Sequence, residues 1–161
     1  MDKNNKIKQF KYNSGNIIKM ENKVIYVDGT FDLLHPGHIA FLKECKKYGN
    51  YLIAGVISDK HVQSYKRIPI LNLDHRCIML ENIRMVDKVI KDCPFFGITQ
   101  EFIDKNKIDK VIYSGGDLGK WKEHYQIPIK NNMMINLAYD VNETGCSTSA
   151  IIKSVIKRKN N

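Results

Sequence analysis

His35 and His38 flank Pro36 and Gly37 in the stretch Asp28-Gly29-Thr30-Phe31-Asp32-Leu33-Leu34-His35-Pro36-Gly37-His38. Two imidazoles three residues apart share one face of a helical turn. Proline suits the first turn of a helix, where its missing N–H costs nothing, and glycine lets a ligand or another backbone approach closely. The amides that open a helix are unpaired and carry partial positive charge, so they attract phosphate. Imidazoles above such an opening are placed to offset the charge that builds on a phosphorus under attack. Zinc is the weaker reading, because two ligands on one turn have no third placed by pattern.

For that chemistry the string must lie where a strand hands over to a helix, and the flanking residues say that it does. Val24-Ile25-Tyr26-Val27 is a short, β-branched apolar run, the pattern of a strand buried on both faces. After the string, Ile39, Phe41, Leu42 and Cys45 fall at helical spacing, and Gly49 supplies the stop. Further strands are expected at 51–57, 88–90, 110–113 and 133–139. Helices are expected at 59–63, from Leu73 or Asp74 to about Asp87, at 99–107, and from Ser147 or Thr148 onward. Strand and helix alternate, so the expected fold is α/β: a Rossmann-like, doubly wound, five-stranded parallel sheet in a single domain. In such sheets ligands sit beyond the carboxyl ends of the strands. The loops "DGTFDLLHPGH", "SGGDLGKW" and "NETGCSTS" all fall at that edge, which predicts one shared pocket.

The chain has 161 residues, 43% of them hydrophobic, and a formal net charge of +9. A basic balance favours an anionic partner, although Lys and Asn concentrate at the two ends. Residues 1–21 read as a flexible N-terminal arm, 22–157 as the catalytic domain and 158–161 as a basic tail. No apolar run approaches the length that spans a bilayer, so no stable membrane insertion is expected. No secretory leader is evident, and the scattered Cys45, Cys77, Cys93 and Cys146 read as reduced thiols, which points to the cytoplasm. No interleaving of basic and aromatic residues marks a nucleic-acid surface.

The string "GTFDLLHPGH" resembles the HxGH motif of the nucleotidyltransferase superfamily, and specifically its cytidylyltransferase branch. The likeness runs from residue 23 to about 156. It takes in Lys66 of "QSYKR", Arg76 and Arg84 of "HRCIMLENIRMVDKVI", the segment "CPFFGITQEFIDKNKID" and the "TGCSTSAII" stretch. The resemblance implies transfer of CMP from CTP to a small phosphomonoester, with pyrophosphate leaving. Mg2+ is expected as cofactor, bound through the CTP phosphates with no metal ligand from the protein, and a homodimer is expected. By the same resemblance His35, His38 and Lys66 are the catalytic residues. Gly29, Thr30, Phe31, Asp117, Thr144, Cys146, Ser147 and Thr148 bind the nucleotide. Asp32, Lys66, Arg76, Arg84, Phe95 and Tyr113 bind the acceptor.

The chain departs from the family pattern in places. Asn142 stands where the family carries an arginine, Phe95 where it carries a tryptophan, and the "SGGD" loop is one residue longer and lacks the usual histidine. Phosphoethanolamine is the expected acceptor, from the likeness of "YKRIPILNLDHR" and "HYQIPIKNN" to the ethanolamine-phosphate enzymes. Choline-phosphate and glycerol-3-phosphate enzymes are the alternatives, as are an ATP-using adenylyltransferase and a nucleotide-binding protein without turnover. A quaternary ammonium wants an aromatic cage with tryptophan as the best member, whereas a primary ammonium wants hydrogen-bond acceptors.

Overall fold

The computed structural model describes residues 22–115, 117–137 and 145–159. The strands are β1 (Val24–Gly29), β2 (Tyr51–Val56), β3 (Lys88–Lys91), β4 (Lys110–Tyr113) and β5 (Met134–Asn136). All pair in parallel, in the order β3-β2-β1-β4-β5. The chain therefore winds outward from β1 in both directions, and the crevice at which strand order reverses lies between β1 and β4.

Alternating side chains of the central strands feed two separate cores. Ile25 and Val27, with Leu52, Ala54, Val56 and Ile112, pack against Phe41, Leu42 and Cys45 of α1 (Pro36–Cys45) and Cys77 and Leu80 of α3 (Leu73–Glu81). Tyr26, Ile53 and Val111 point the other way. They meet Ile103 of α4 (Gln100–Asn106), and Tyr125 just before α5 (Gln126–Lys130). This two-sided burial is why the strands read as continuous apolar runs rather than alternating ones. The short α2 (Asp59–Gln63) follows β2, and α6 (Thr148–Lys159) closes the described chain.

Several boundaries differ from the sequence expectation. α3 stops at Glu81 rather than near Asp87, because the Asn82 side chain donates to the Ile78 carbonyl and single turns follow at Ile83 and Val86. α5 carries Pro128 in its interior and has no strong periodic signature, so it was not expected. β5 is shorter than 133–139, of which 138–139 lie outside the described residues. α6 runs through Arg158 and Lys159, so the basic tail begins inside the helix. The expected arm at 1–21 lies outside the described residues.

Candidate active site

The loop after β1 holds the histidines through unusual backbone. Phe31 (φ 51) and Leu33 (φ 46) adopt the left-handed region, which side-chain-bearing residues seldom occupy. His35 then caps α1: its Nδ1 accepts the Gly37 N–H at 3.1 Å. An accepting Nδ1 places the ring proton of neutral His35 on Nε2. His38 stacks on it with ring centroids 3.9 Å apart. Burial, followed by the neighbouring His35 and Lys66 charges, pushes His38 down to about 4, and burial also lowers His35. In the unliganded protein the imidazoles are therefore neutral near pH 7, so they offer hydrogen bonds rather than full charges. A phosphate anion arriving beside them shifts them toward the charged form.

Gly37 is required by close approach. A Cβ there would lie 2.8 Å from His35 Cε1 and 2.9 Å from the Cys146 carbonyl oxygen. The openings of α1 and α6 thus touch. The Thr148 hydroxyl donates to the Asp32 carbonyl at 3.0 Å, and the Ser147 hydroxyl caps α6 by accepting from the Ala150 N–H at 3.1 Å. A cavity of about 170 Å³ lies at this junction, lined by Gly29, Thr30, Phe31, Asp32, His38, Lys66 and Thr148 among others. His38, Lys66 and Thr148 come from loops far apart in sequence, and their polar groups converge on a space that suits phosphates. Lys66 is exposed at the cavity's edge.

A second cavity of about 190 Å³ adjoins the first, sharing Asp28, Gly29, Thr30, Phe41 and Ser114. Its walls are aromatic: Tyr65, Phe95, Tyr113, Trp121 and Tyr125. Tyr65 and Trp121 meet edge to face at 4.9 Å, and Tyr113 and Tyr125 lie 5.4 Å apart. His61 stacks on Phe95 from outside at 4.8 Å. Where the two cavities meet lies Asp28, its side chain 4% exposed, with Oδ1 accepting from the Tyr125 hydroxyl at 2.6 Å and Oδ2 2.8 Å from His124 Nε2.

The structure brings His38, Lys66, Thr148, Gly29, Thr30, Phe31 and Asp32 together at the smaller cavity, and Phe95 and Tyr113 at the aromatic one, while His35 and Ser147 cap α1 and α6 without lining either. Other expected site residues have different surroundings. Asp32 lines the cavity, but its carboxylate is already engaged by the Ile70 and Leu71 N–H groups and by Arg67. Burial opposes its charge, yet these donors together hold it below the usual carboxylate range. Arg76 is fully buried and binds the carbonyls of Thr30, Ile57 and Leu71 and the Asp59 carboxylate, so it braces the loops rather than contacting an acceptor. Arg84 lies beyond α3 in the segment leading into β3, at the amino edge of the sheet and opposite the cavities. Asp117 is exposed, accepts the Gly119 N–H at 3.1 Å as a turn residue, and lines neither cavity. Cys146 contributes its backbone carbonyl against Gly37. Thr144 and Asn142 lie outside the described residues.

Sequence reasoning did not single out Asp28, Tyr65, Trp121, His124 or Tyr125. The tryptophan absent at Phe95 is supplied instead by Trp121, from the segment after β4. That substitution in space has no signal in linear spacing. Asp28, at the end of a buried strand, was open to notice as a carboxylate in an otherwise apolar run.

A switch-point crevice with two helix openings over a polar cavity defines an α/β domain of the kind that takes its ligand beyond the carboxyl ends of the strands. The cytidylyltransferase-like family model matches residues 26–154, and the chain belongs to that family. It is 34% identical over 157 residues to the ethanolamine-phosphate cytidylyltransferase of Dictyostelium discoideum, spanning 96% of this chain and 43% of that protein. It is 37% identical over 140 residues to the choline-phosphate cytidylyltransferase of Saccharomyces cerevisiae, spanning 83% of this chain and 31% of that protein. The chain thus spans less than half the length of these curated relatives. In fold it resembles the lipopolysaccharide core biosynthesis protein of Thermoplasma volcanium, with a TM-score of 0.59 and 23% identity over 73% of this chain and 98% of that one. Among the described residues no helix is long and apolar enough to cross a membrane.

Proposed function

We propose that this chain transfers CMP from CTP to a small phosphomonoester bearing an amino-alcohol head group, phosphoethanolamine first, giving CDP-ethanolamine and pyrophosphate for phospholipid biosynthesis. The observation that carries the reading is the junction of the two cavities around Asp28, Gly29 and Thr30. A molecule with phosphate at one end and a cation at the other fits across it. An oxygen of the acceptor phosphate attacks the α-phosphorus of CTP in line, and the bond to the β-phosphate breaks. The Thr148 N–H and the other amides opening α6, His38 and the Nε2 proton of His35 donate to the phosphates, and Lys66 supplies the positive charge between the two reactants. Magnesium belongs to this reading as an ion carried by the nucleotide, which would offset the charge of the leaving pyrophosphate. Of the two carboxylates lining the phosphate cavity, Asp32 is committed to the Ile70 and Leu71 N–H groups and Arg67, and Asp28 to Tyr125 and His124, which supports delivery of the ion by the nucleotide rather than by protein ligands. A homodimer and a cytoplasmic location complete the proposal; the buried thiols of Cys45, Cys77 and Cys93 suit a reducing compartment.

Phosphocholine is the second reading, favoured by one observation: Trp121, Tyr65, Phe95, Tyr113 and Tyr125 together make the aromatic cage that a quaternary ammonium wants. Pyrophosphate release with CTP and each of phosphoethanolamine, phosphocholine and glycerol 3-phosphate tests both readings. Release with the two amino-alcohol phosphates well above glycerol 3-phosphate is expected. Release only with ATP, or none with any acceptor, refutes the proposal.

A further inference from the structure

His124 is buried beside the aromatic cavity, and both of its ring nitrogens face acceptors. Nδ1 lies 2.9 Å from the Phe95 carbonyl and Nε2 lies 2.8 Å from Asp28 Oδ2. Asp28 Oδ1 is bonded by the Tyr125 hydroxyl at 2.6 Å. Burial pushes that hydroxyl well up, so it remains a donor. A neutral imidazole has one N–H and one lone pair, and neither a carbonyl nor an ionised carboxylate can donate to the lone pair. Both contacts are satisfied only if the Asp28–His124 pair holds one more proton than a neutral ring beside an ionised carboxylate. That proton makes the pair either imidazolium with carboxylate or imidazole with carboxylic acid. Each has a net charge of zero. The cage therefore presents aromatic faces that suit a cation around an anchor with no net charge.

We propose that His124 is a specificity-determining residue of the acceptor site: the Asp28–His124 pair gives up its extra proton to solvent when a cationic head group enters, and keeps it against an uncharged one. The inference rests on the reading that the aromatic cavity receives the acceptor's head group. The balance is simple: one N–H or O–H bond of the pair breaks, the proton goes to water, and the fixed positive charge of the head group replaces it beside the ionised Asp28. The other titratable groups facing the pair and its cavity do not supply this proton near neutral pH. Burial pushes the hydroxyls of Tyr26, Tyr65, Tyr113 and Tyr125 up, and likewise the Cys93 thiol. The Lys120 ammonium stands over the Tyr65 and Trp121 rings, 5.4 and 5.2 Å from their centroids, and is not part of the cavity lining.

Titration calorimetry of the full chain with phosphocholine tests this, run near neutral pH in two buffers of different ionisation enthalpy to count protons. His124→Phe and His124→Gln are compared with the parent, so that the phosphate's own titration cancels. Glutamine keeps an amide N–H toward Asp28 without a titratable proton, and thermal melts establish that each variant is folded. The parent is expected to release up to about one proton more per phosphocholine than either variant, with no such difference for glycerol 3-phosphate. Equal proton counts in parent and folded variants overturn the inference while leaving the head-group assignment in place. A merely structural His124 would weaken both ligands alike and leave the counts unchanged. Failure of phosphocholine and phosphoethanolamine to bind even the parent overturns the assignment of the cavity itself, and the inference with it.

Discussion

Arg76→Met separates bracing from binding. The guanidinium is fully buried and donates to the Leu71 carbonyl at 3.1 Å, the Ile57 carbonyl at 2.8 Å, the Thr30 carbonyl, and Asp59 Oδ1 at 2.7 Å. These bonds join the loops that leave β1 and β2 to the start of α3. Methionine nearly fills the volume, so the loss comes from polar groups rather than from a cavity. Asp59 is 40% exposed on its side chain and can turn to water, so its share is small. The stranded carbonyls cost about 1–3 kcal/mol each where water cannot reach them. A total of about 3–5 kcal/mol follows, the range for breaking a buried charged contact. For a chain of this length that lowers Tm by roughly 10 °C. Guanidinium and thermal unfolding of the variant measure it directly. A loss below about 1 kcal/mol refutes the bracing role. Unchanged stability with lost acceptor binding would return Arg76 to the substrate site that the family resemblance implies.

His38→Ala should lower turnover by more than about a hundredfold, with the fold intact by circular dichroism, as expected for removing a transition-state contact; a rate within a few-fold of the parent contradicts the role. Because burial lowers His38 to about 4, the unfolded state binds the extra proton first as pH falls. Stability is therefore full above the ordinary histidine range and declines as pH falls from about 6.5 toward 4, by up to about 3 kcal/mol. Denaturant midpoints across that window should show the decline in the parent and a shallower one in His38→Asn; identical slopes would remove His38 as the cause. Trp121→Ala should raise the acceptor KM roughly tenfold and leave the CTP KM within a few-fold, since a cation over an indole is worth up to about 2 kcal/mol; equal rises in both constants contradict a head-group role.

Much of the frame was legible in the sequence because it depends on local pattern. The runs "VIYV" and "LIAGV" are apolar at every position, as parallel strands covered on both faces require. The histidines around Pro36-Gly37 mark a helix opening by steric necessity. The convergence of His38, Lys66 and Thr148 on one cavity was legible through the rule that loops at the carboxyl ends of such strands meet. Side-chain commitments were not. Whether Arg76 reaches a substrate or the carbonyls of Thr30 and Ile57 depends on which loops fold over α3, and spacing alone carries no record of that. The same holds for Trp121. It replaces a missing ring across space, from a segment whose 3-10 turn and proline-containing α5 have no strong period. Asp32 and Asp117 read as polar site residues, yet their oxygens serve nearby backbone N–H groups, a use that Asp side chains share with binding.

A crystal soaked with CDP-ethanolamine shows whether one ligand spans the two cavities. The diphosphate is expected between His38, Lys66 and Thr148, over the openings of α1 and α6, with the ammonium in the aromatic cage beside Asp28 and Trp121. Product bound with its diphosphate away from that junction, or with its ammonium turned to solvent and the cage empty, would contradict it.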